Sequence, residues 1–221
     1  EKALDSACGQ GVFCRLLAEC GVKVVGVDAA KSLIDAARER EIRRPERPET
    51  GPAKRGEVEY RFGDARDLSF LEDGSFDMAA CLLAIQNMHP INPVFEHASR
   101  VLKAGGRMVV VMMHPCFRIS GQSEWGWDEK KKVQYRRVDG YLVPRKTPIV
   151  THPGSRPDVY TWTFHKPLEM YFKAMARAGL TIDALEEWAS HKTSTSGPRA
   201  AAENTARKEI PMFLALRAIK R

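Results

Sequence analysis

The sequence predicts an α/β protein built on a doubly wound, mostly parallel sheet. Apolar, strand-like runs alternate with segments of helical periodicity through the first five predicted strands. A length of 221 residues suits one such sheet with one elaborated loop region. With 43% hydrophobic and 29% charged residues, the composition is that of an ordinary globular protein, which excludes collagen-like, disordered and coiled-coil chains.

The first three strands are separated by a glycine turn, two helices and a loop. Residues 4–7 have the composition of the end of a buried strand, and Gly9-Gln10-Gly11 predicts a tight turn. Apolar residues then recur at helical spacing until Gly21 ends this first helix. The elements that follow are a strand over 22–27 that ends in Asp28, a helix over 32–42, a Pro- and Gly-rich loop over 43–57 and a strand over 58–62.

The second half of the pattern contains a long interruption. The run 76–83 is almost wholly apolar, which favours a parallel strand covered on both faces. Asn92-Pro93 predicts a helix start, Gly105-Gly106 predicts the end of that helix, and residues 108–113 form the fifth strand. The remaining elements are an insertion of short pieces over 114–165, a helix over 167–179 and strands over 180–188 and 210–219, with a Ser/Thr-rich connection over 191–197.

Charge and cysteine content limit the cellular setting. The net charge is +7, and its local excess lies between Glu129 and Lys146, where we favour a solvated, mobile surface loop over a nucleic-acid patch. Five cysteines, an odd number, do not predict a disulfide framework, so we expect a reducing cytoplasm. The sequence contains no signal peptide pattern and no apolar run of the roughly 18 residues that a membrane span needs.

Acidic residues recur where predicted strands end. Asp5 is followed by the Gly9–Gly11 turn, Asp28 ends the second strand, and Asp64 follows the third. In open parallel sheets, ligands bind outside the carboxyl ends of the strands, and a carboxylate at the position of Asp28 is suited to ribose hydroxyls. A dinucleotide fits poorly because Cys14 stands where a third glycine is needed, and no Lys-Ser/Thr pair follows the turn as in a phosphate loop.

Several motifs in this order resemble the class I S-adenosylmethionine-dependent methyltransferases. That family implies a seven-stranded sheet with the last strand antiparallel, S-adenosyl-L-methionine as cofactor, S-adenosyl-L-homocysteine as product, and a helix before the first strand. Nothing precedes Glu1, so we expect the chain to lack that N-terminal helix. The motifs are LDSACGQG (4–11), VVGVDAA (24–30), RFGDARDL (61–68), SFDMAACLLAIQNM (75–88) and LKAGGRMVVV (102–111).

The resemblance assigns the cofactor residues one by one. It implies that Asp5 orients the methionine part, that Asp28 accepts the ribose hydroxyls, and that Asp64 with Ala65 faces the adenine. The backbone of Leu82 is implied to contact the methionyl amine. Ala7 stands where the family usually has glycine, a change that we expect to be tolerated. The full predicted cofactor-binding set is Asp5, Ala7, Cys8, Gly9, Gly11, Asp28, Ala29, Asp64, Ala65 and Leu82.

Three residues are the catalytic candidates. Methyl transfer from a sulfonium is an in-line displacement that needs an aligned nucleophile and, for some acceptors, removal of a proton. His114 is the first choice for general base or substrate-orienting group because its ordinary pKa suits neutral pH, and a packed histidine at a strand end is the equal alternative. Gln86 and His165 complete the set. Cys116 is interpreted as a small buried apolar residue rather than a nucleophile.

The insertion over 115–165 is rich in aromatic residues and suggests a lid. Trp125, Trp127, Tyr160 and Trp162 are the predicted substrate-binding residues, and a small satellite core under a long loop is the equal alternative. Tyr160, Trp162 and His165 are expected on one side of a strand, with Phe164 on the other. We expect no metal site, because no His or Cys cluster has ligand spacing.

The prediction is thus one methyltransferase domain over 1–221. It comprises a cofactor-binding half (1–114), the insertion (115–165) and a C-terminal helix with strands (166–221). The part after His114 is similar to a subgroup with a His-Pro-Cys-Phe turn and a His-x-Pro-Leu helix start. The expected reaction is methyl transfer to an oxygen or nitrogen of a small-molecule metabolite, by a monomer or homodimer. The alternatives are an RNA methyltransferase that uses the basic insertion and a non-catalytic cofactor-binding scaffold; salt dependence separates the first of these.

Overall fold

The computed structural model describes residues 1–44, 55–152 and 156–221. In chain order the strands are β1 (Lys2–Ser6), β2 (Lys23–Asp28), β3 (Val58–Phe62), β4 (Phe76–Leu82), β5 (Leu102–Met113), β6 (Ser123–Asp128), β7 (Val133–Val138), β8 (Arg145–His152), β9 (Arg156–His165), β10 (Leu180–Trp188) and β11 (Phe213–Lys220). The helices are α1 (Val12–Glu19), α2 (Lys31–Ile42), α3 (Asn92–Val101), α4 (Leu168–Arg177) and α5 (Ala200–Glu209).

Seven strands form one sheet in the order β10-β11-β5-β4-β1-β2-β3. Every pair from β5 to β3 is parallel, whereas β11 runs antiparallel to both β5 and β10. The order of the parallel strands reverses at β1 and β4, which places their carboxyl ends at the switch point of the sheet. The predicted seven-stranded, mostly parallel sheet with an antiparallel last strand is therefore confirmed.

Helices cover both faces of this sheet. Neighbouring residues of β2 show this, since Val24 packs in one buried cluster while Val25 and Val27 pack in another. The smaller cluster includes residues of α1 and α2, and the larger one includes residues of α3 and α4. Strands buried on both sides need apolar side chains at every position, which explains the continuous apolar runs in the sequence.

Close packing of α1 on the sheet depends on Gly26 in the middle of β2. A Cβ atom at Gly26 would lie 2.8 Å from Cys14 Sγ, 2.9 Å from Cys8 Sγ and 3.0 Å from a ring atom of Tyr60. The missing side chain thus gives room for both sulfur atoms. This contact holds α1 and the preceding turn against β2.

Two predicted boundaries differ from the structure. Helix α3 ends at Val101 and β5 begins at Leu102, whereas the sequence analysis ended the helix at Gly105-Gly106 and began the strand at residue 108. A register shift between β4 and β5 takes up the extra residues, with Gly105 at φ 74°. The helix α5 was not predicted because it is mostly polar, with Ala206 as its one buried residue.

The insertion after β5 consists of two antiparallel hairpins, β6–β7 and β8–β9. Many short pieces without helical periodicity were expected here, with one strand that contains Tyr160, Trp162 and His165. The expected face of β9 was also wrong. Side chains alternate along a strand, so His165 lies on the face of Thr161 and Thr163, opposite Tyr160 and Trp162.

Three further expectations concern segments and features outside the sheet. Part of the predicted loop over 43–57, with Pro45, Pro48, Gly51 and Pro52, lies outside the described residues. Among the helices of the described residues, none is long and apolar enough to cross a membrane. Over 1–44, 55–152 and 156–221, no group of three His, Cys, Asp or Glu side chains is placed to hold a metal ion.

Replacement of Gly26 tests the packing of α1. We expect Gly26→Ala to lower the free energy of unfolding by about 1–3 kcal/mol, because the added methyl group overpacks the contact with Cys14 and Cys8. Urea unfolding measures this change. In a Cys14→Ala background the same substitution should cost less, since one of the crowding sulfur atoms is gone. Equal costs in both backgrounds would contradict the proposed contact.

Candidate active site

The turn between β1 and α1 is fixed by backbone bonds to the end of β2. The N–H groups of Ala7 and Cys8 both donate to Val27 O, at 2.7 and 2.9 Å. Ala7, Gly9 and Gly11 adopt left-handed conformations, with φ of 72°, 55° and 72°. No atom lies within 4 Å of the Cβ position of Gly9, so this part of the turn presents open backbone at the sheet edge.

Asp28 joins this turn to the start of α2. Its carboxylate accepts the Gly9 N–H at 2.8 Å through Oδ2 and the Ala30 N–H at 2.8 Å through Oδ1. Ala29, between them, is exposed. Both oxygens are therefore oriented by backbone donors, and a half-buried carboxylate keeps lone pairs for hydroxyl donors of a ligand.

Asp5 lies beneath the turn and is 2% exposed. Burial raises its pKa to about 6, the thiol of Cys14 opposes this by donating to Oδ2 at 3.2 Å, and the charge of Asp28 adds to the rise. A carboxyl group that is costly to ionise in this position would be stabilised as a carboxylate by a cationic ligand group nearby. The raised pKa is thus an electrostatic feature of the predicted cofactor edge.

The ends of β3 and β4 complete this edge. Asp64 forms an ion pair with Arg66 that holds the pKa of its carboxyl below the usual range, and Arg66 also donates to His89 O at 2.7 Å. Ala65 is buried, and Leu82 is half-buried at the end of β4. The predicted cofactor residues therefore all lie at the carboxyl ends of β1 to β4 or in the segments that follow them directly.

A cavity of about 500 Å³ lies beside this edge. Its walls come from the segments after β4 and β5, from the insertion and from the start of α4. Two of the predicted catalytic residues, Gln86 and His165, line it. The other lining residues are Asn87, Met113, Pro115, Arg118, Ile119, Ser120, Arg136, Ile149, Thr161, Thr163, Phe164, Lys166, Tyr171 and Met212.

The hydrogen-bond partner of His165 determines which of its ring nitrogens carries the proton. Nε2 lies 2.6 Å from Tyr141 O, and because a carbonyl only accepts, Nε2 must carry the proton. Burial lowers the pKa of His165 below its ordinary value, and the charges of Lys166 and Arg145 lower it further. The ring is therefore neutral near pH 7, with its Nδ1 lone pair available as an acceptor.

His114 has partners on both ring nitrogens. Nδ1 accepts the Cys116 N–H at 3.2 Å, and Nε2 lies 2.8 Å from Glu187 Oε1. The ring is 3% exposed and packs against Phe117. Burial lowers its pKa, although Glu187 opposes that effect. His114 thus connects the end of β5 to β10, behind the cavity that His165 lines.

Gln86 supplies a buried acceptor to the cavity wall. Its Nε2 donates to Leu83 O at 2.6 Å, while Oε1 is buried and accepts no bond from the described residues. The neighbouring Leu83 has φ 54°, a left-handed conformation that is unusual for leucine. Unpaired polar atoms and strained backbone of this kind concentrate at binding sites.

The predicted substrate-binding aromatics lie outside the cavity wall. Tyr160 and Trp162 pack edge to face on the opposite side of β9, where Lys146 covers the Trp162 ring at 4.0 Å. Trp127 lies against Arg199 of the chain segment before α5. Trp125 is a support behind the cavity, since it stacks on two arginines that line it. Whether any of the four contacts substrate stays a prediction.

Sequence reasoning missed three cationic side chains of the wall: Arg118, Arg136 and Lys166. Alternation along β7 separates Arg136, which lines the cavity, from Arg137, which pairs with Asp139. Lys132 pairs with Glu129 on the exposed β6–β7 turn. The basic segment therefore divides into a solvated part and a cavity part. Only knowledge of the hairpin register could have made this distinction.

The first half of the chain is similar to a known type of domain. Residues 4–110 match a family model described as methyltransferase domain. The chain is 27% identical over 191 residues to a demethylmenaquinone methyltransferase of Paenarthrobacter aurescens, covering 86% of this chain and 60% of that protein. It is 27% identical over 107 residues to a ubiquinone biosynthesis O-methyltransferase of Xanthomonas oryzae, covering 48% and 41%. The chain thus spans less than two thirds of these curated relatives.

Solved structures agree with the fold over nearly the whole chain. An S-adenosylmethionine-dependent methyltransferase from Mesorhizobium loti superposes with a TM-score of 0.71 at 26% identity, covering 99% of this chain and 90% of that one. Geranyl diphosphate C-methyltransferase from Streptomyces coelicolor, in complex with Mg²⁺, geranyl diphosphate and S-adenosyl-L-homocysteine, gives 0.59 at 16% identity, covering 100% and 73%. Together these matches show that the chain has the fold of the S-adenosylmethionine-dependent methyltransferases.

The buried charge of Asp5 makes stability depend on pH. A folded-state pKa raised from 3.8 to about 6 destabilises the fold as pH rises through that interval. Asp5→Asn removes the titration, so the variant should exceed the natural protein in free energy of unfolding by about 3 kcal/mol at pH 8. The two proteins should converge below pH 4. Urea unfolding at both pH values measures the difference, and a pH-independent difference would contradict the buried charge.

Proposed function

We propose that this chain, which has the fold and the cofactor-binding half of an S-adenosylmethionine-dependent methyltransferase, transfers a methyl group to an oxygen or nitrogen of a small-molecule metabolite. One observation carries this proposal. A cavity with a neutral histidine and an unpaired amide oxygen in its wall is lined by the segments that follow β4 and β5, and β4 is the neighbour of β1 in the sheet.

The residues of the β1–β3 edge fit the cofactor. S-adenosyl-L-methionine supplies an electrophilic methyl group on a sulfonium when it is bound. The open backbone at Gly9 allows close approach, and Asp28 is oriented to accept ribose hydroxyls. Asp5 would be favoured as a carboxylate by the positive charge of the methionine part. The predicted contacts of Asp64, Ala65 and Leu82 belong to the same proposal.

His165 is the group best placed to take the acceptor's proton. Tyr141 O fixes the proton on Nε2, which leaves Nδ1 as the basic atom. Gln86 Oε1 can accept a hydrogen bond from the hydroxyl or amine that is methylated, and so orient it. His165 would take this proton as the acceptor's oxygen or nitrogen bonds to the methyl carbon and the bond from that carbon to sulfur breaks, so the new ether or amine group is uncharged.

His114 is proposed as a positioning residue. Because Cys116 N–H and Glu187 engage both of its nitrogens, it holds the start of the insertion relative to β10 and β11. A direct role in proton transfer would require it to give up one of these bonds. The original assignment of His114 as a general base stays a prediction that variants of both histidines can distinguish.

The size of the cavity favours a small acceptor. A volume of about 500 Å³ falls in the range of small-molecule pockets. The named relatives are methyltransferases of quinone biosynthesis, which agrees with a small organic acceptor.

The remaining proposals concern the chain as a whole. We place it with the His-Pro-Cys-Phe subgroup and propose one domain over 1–221, with 115–165 as the insertion. We further propose that it acts in the cytoplasm as a monomer or homodimer.

RNA remains the second candidate substrate because three lysines, Lys130, Lys131 and Lys132, are exposed on the β6–β7 turn. Phosphate contacts there would make RNA affinity fall steeply with salt concentration. Methylation of a small acceptor should change little between 50 and 200 mM salt. A non-catalytic scaffold would bind S-adenosyl-L-homocysteine and methylate nothing.

Cofactor binding tests the role of Asp28. Saturating S-adenosyl-L-homocysteine should stabilise the protein by about 2.7 kcal/mol at 100 times its dissociation constant, whereas NAD should not. Asp28→Ala should weaken this binding at least about tenfold, because it removes charge-assisted bonds to the ligand and to Gly9. Calorimetric titration measures the affinity. Asp35→Ala, an exposed aspartate of α2, is the matched control and should bind normally.

The pH profile tests His165. Its neutral form is the active one and its pKa lies below the ordinary histidine value, so turnover should stay level at neutral pH and decline only on the acid side of that ordinary value. His165→Asn should lower kcat by roughly 100-fold and leave cofactor affinity unchanged. His114→Asn should retain the acid limb of the profile. If the acid limb were lost in the His114 variant alone, the general base would be His114 and not His165.

A further inference from the structure

We propose that the acceptor carries an anionic group, a carboxylate or a phosphate, which Arg118, Arg136 and Lys166 bind inside the cavity. This inference rests on the proposed function, because it identifies the chemical class of the substrate at the same site. The observation is a set of cationic side chains in a wall that has no carboxylate among its described residues.

The two arginines form a like-charged pair. Their Cζ atoms lie 5.0 and 5.2 Å from the ring centroid of Trp125, so one indole ring supports both guanidinium groups. The charge of Arg136, together with burial, lowers the pKa of Arg118. Such a pair opposes folding unless a negative charge compensates for it.

The partners of these guanidinium groups are neutral. Arg136 donates to Phe117 O at 2.9 Å, and to Ser123 O and Oγ at 3.1 and 2.6 Å. The one hydrogen bond described for Arg118 is a long one of 3.4 Å to Ile210 O, and its buried Nε has no partner among the described residues. Burial lowers the pKa of Arg136, and the exposed Glu124 opposes that effect without an ion-pair contact in the described structure.

Lys166 adds a third cation to the cavity lining. It is 2% exposed, and its Nζ donates to Met88 O at 2.9 Å and Phe164 O at 3.2 Å. Burial alone lowers its pKa to about 8, so the group is still mostly charged at pH 7. Lysines this buried are nearly always paired with an acid, whereas the partners described for Lys166 are these two carbonyl oxygens and the rings of Phe164 and Tyr171.

The contrast with three exposed arginines supports a ligand as the missing partner. Arg66, Arg137 and Arg217 are exposed, yet each pairs with a carboxylate. The cations that line the cavity are the more buried ones and have neutral partners. Guanidinium groups bind carboxylates and phosphates in bidentate geometry. An anionic ligand would therefore supply the negative charge that the cavity wall lacks.

The apolar part of the cavity wall indicates that the rest of the acceptor molecule is apolar. Met113, Ile119, Ile149, Tyr171 and Met212 line the same space as the cations. Apolar walls with a few convergent charged groups are typical of sites for amphipathic organic molecules. The expected acceptor is therefore an organic acid whose apolar body carries both the anionic group and the hydroxyl or amine that is methylated near His165.

A matched pair of probes tests the anion site. In the presence of saturating S-adenosyl-L-homocysteine and at fixed ionic strength, benzoate should raise the melting temperature, and its neutral isostere benzamide should not. Phenyl phosphate distinguishes a preference for phosphate from one for carboxylate. If neither benzoate nor phenyl phosphate stabilises the protein more than benzamide does, the proposal is wrong.

Variants then locate the effect. Arg136→Gln and Arg118→Gln should weaken benzoate binding at least tenfold, whereas Arg137→Gln, the outward neighbour on β7, should bind as the natural protein does. Arg136→Lys keeps the charge and should give an intermediate loss, which serves if the glutamine variants fail to fold. An equal loss with Arg137→Gln would overturn the assignment, as would a single-stranded RNA that binds through Arg136 in place of the small anions.

The two proposals fail in different ways. Discrimination between benzoate and benzamide without any effect of S-adenosyl-L-homocysteine would refute the cofactor assignment and leave the anion site standing. Stabilisation by S-adenosyl-L-homocysteine in all variants, without discrimination between the probes, would refute the anion site and retain the methyltransferase.

Discussion

The parallel alignment of β5, β4, β1, β2 and β3 is the constraint on which the site depends. Because these strands run in one direction, their carboxyl ends meet at one edge, and each following segment contributes a side chain there. The close approach of α1 at Gly26 brings the turn after β1 onto that edge. Asp28 then joins the turn to α2 through two backbone donors. The sheet direction thus sets the positions of all the acidic residues before any ligand contact is considered.

The sequence predicted the sheet and its acidic edge well, for a definite physical reason. Strands covered on both faces must be apolar throughout, and left-handed turn positions favour glycine, so both leave local signals such as 76–82 and Gly9 to Gly11. Helix α5 left no such signal, because a mostly polar surface helix has little apolar periodicity. The boundary at Val101 was also missed, since the shift in register between β4 and β5 depends on tertiary pairing.

The cavity could be predicted only in part, because its walls depend on hairpin register. One step along β9 separates His165 from Trp162, and one step along β7 separates Arg136 from Arg137. Nothing in the local sequence states which member of each pair faces the sheet edge. The aromatic residues that the sequence suggested for substrate binding therefore pack on the hairpins outside the cavity wall. The residues that line the cavity are instead threonines, a histidine, cations and apolar residues such as Met113 and Ile149, which have little pattern of their own.

The two halves of the site have opposite charge. The β1–β3 edge carries the carboxyl groups of Asp5, Asp28 and Asp64, whereas the neighbouring cavity carries Arg118 and other cations. A sulfonium cofactor with a protonated amine suits the first half, and an organic acid suits the second. Each ligand would compensate for the protein charges in its half of the site. The cofactor would also lower the cost of ionising Asp5, whose pKa is raised. Since each ligand also lowers the charge repulsion within its half, stable occupancy of both is the state in which the protein's electrostatics are best satisfied.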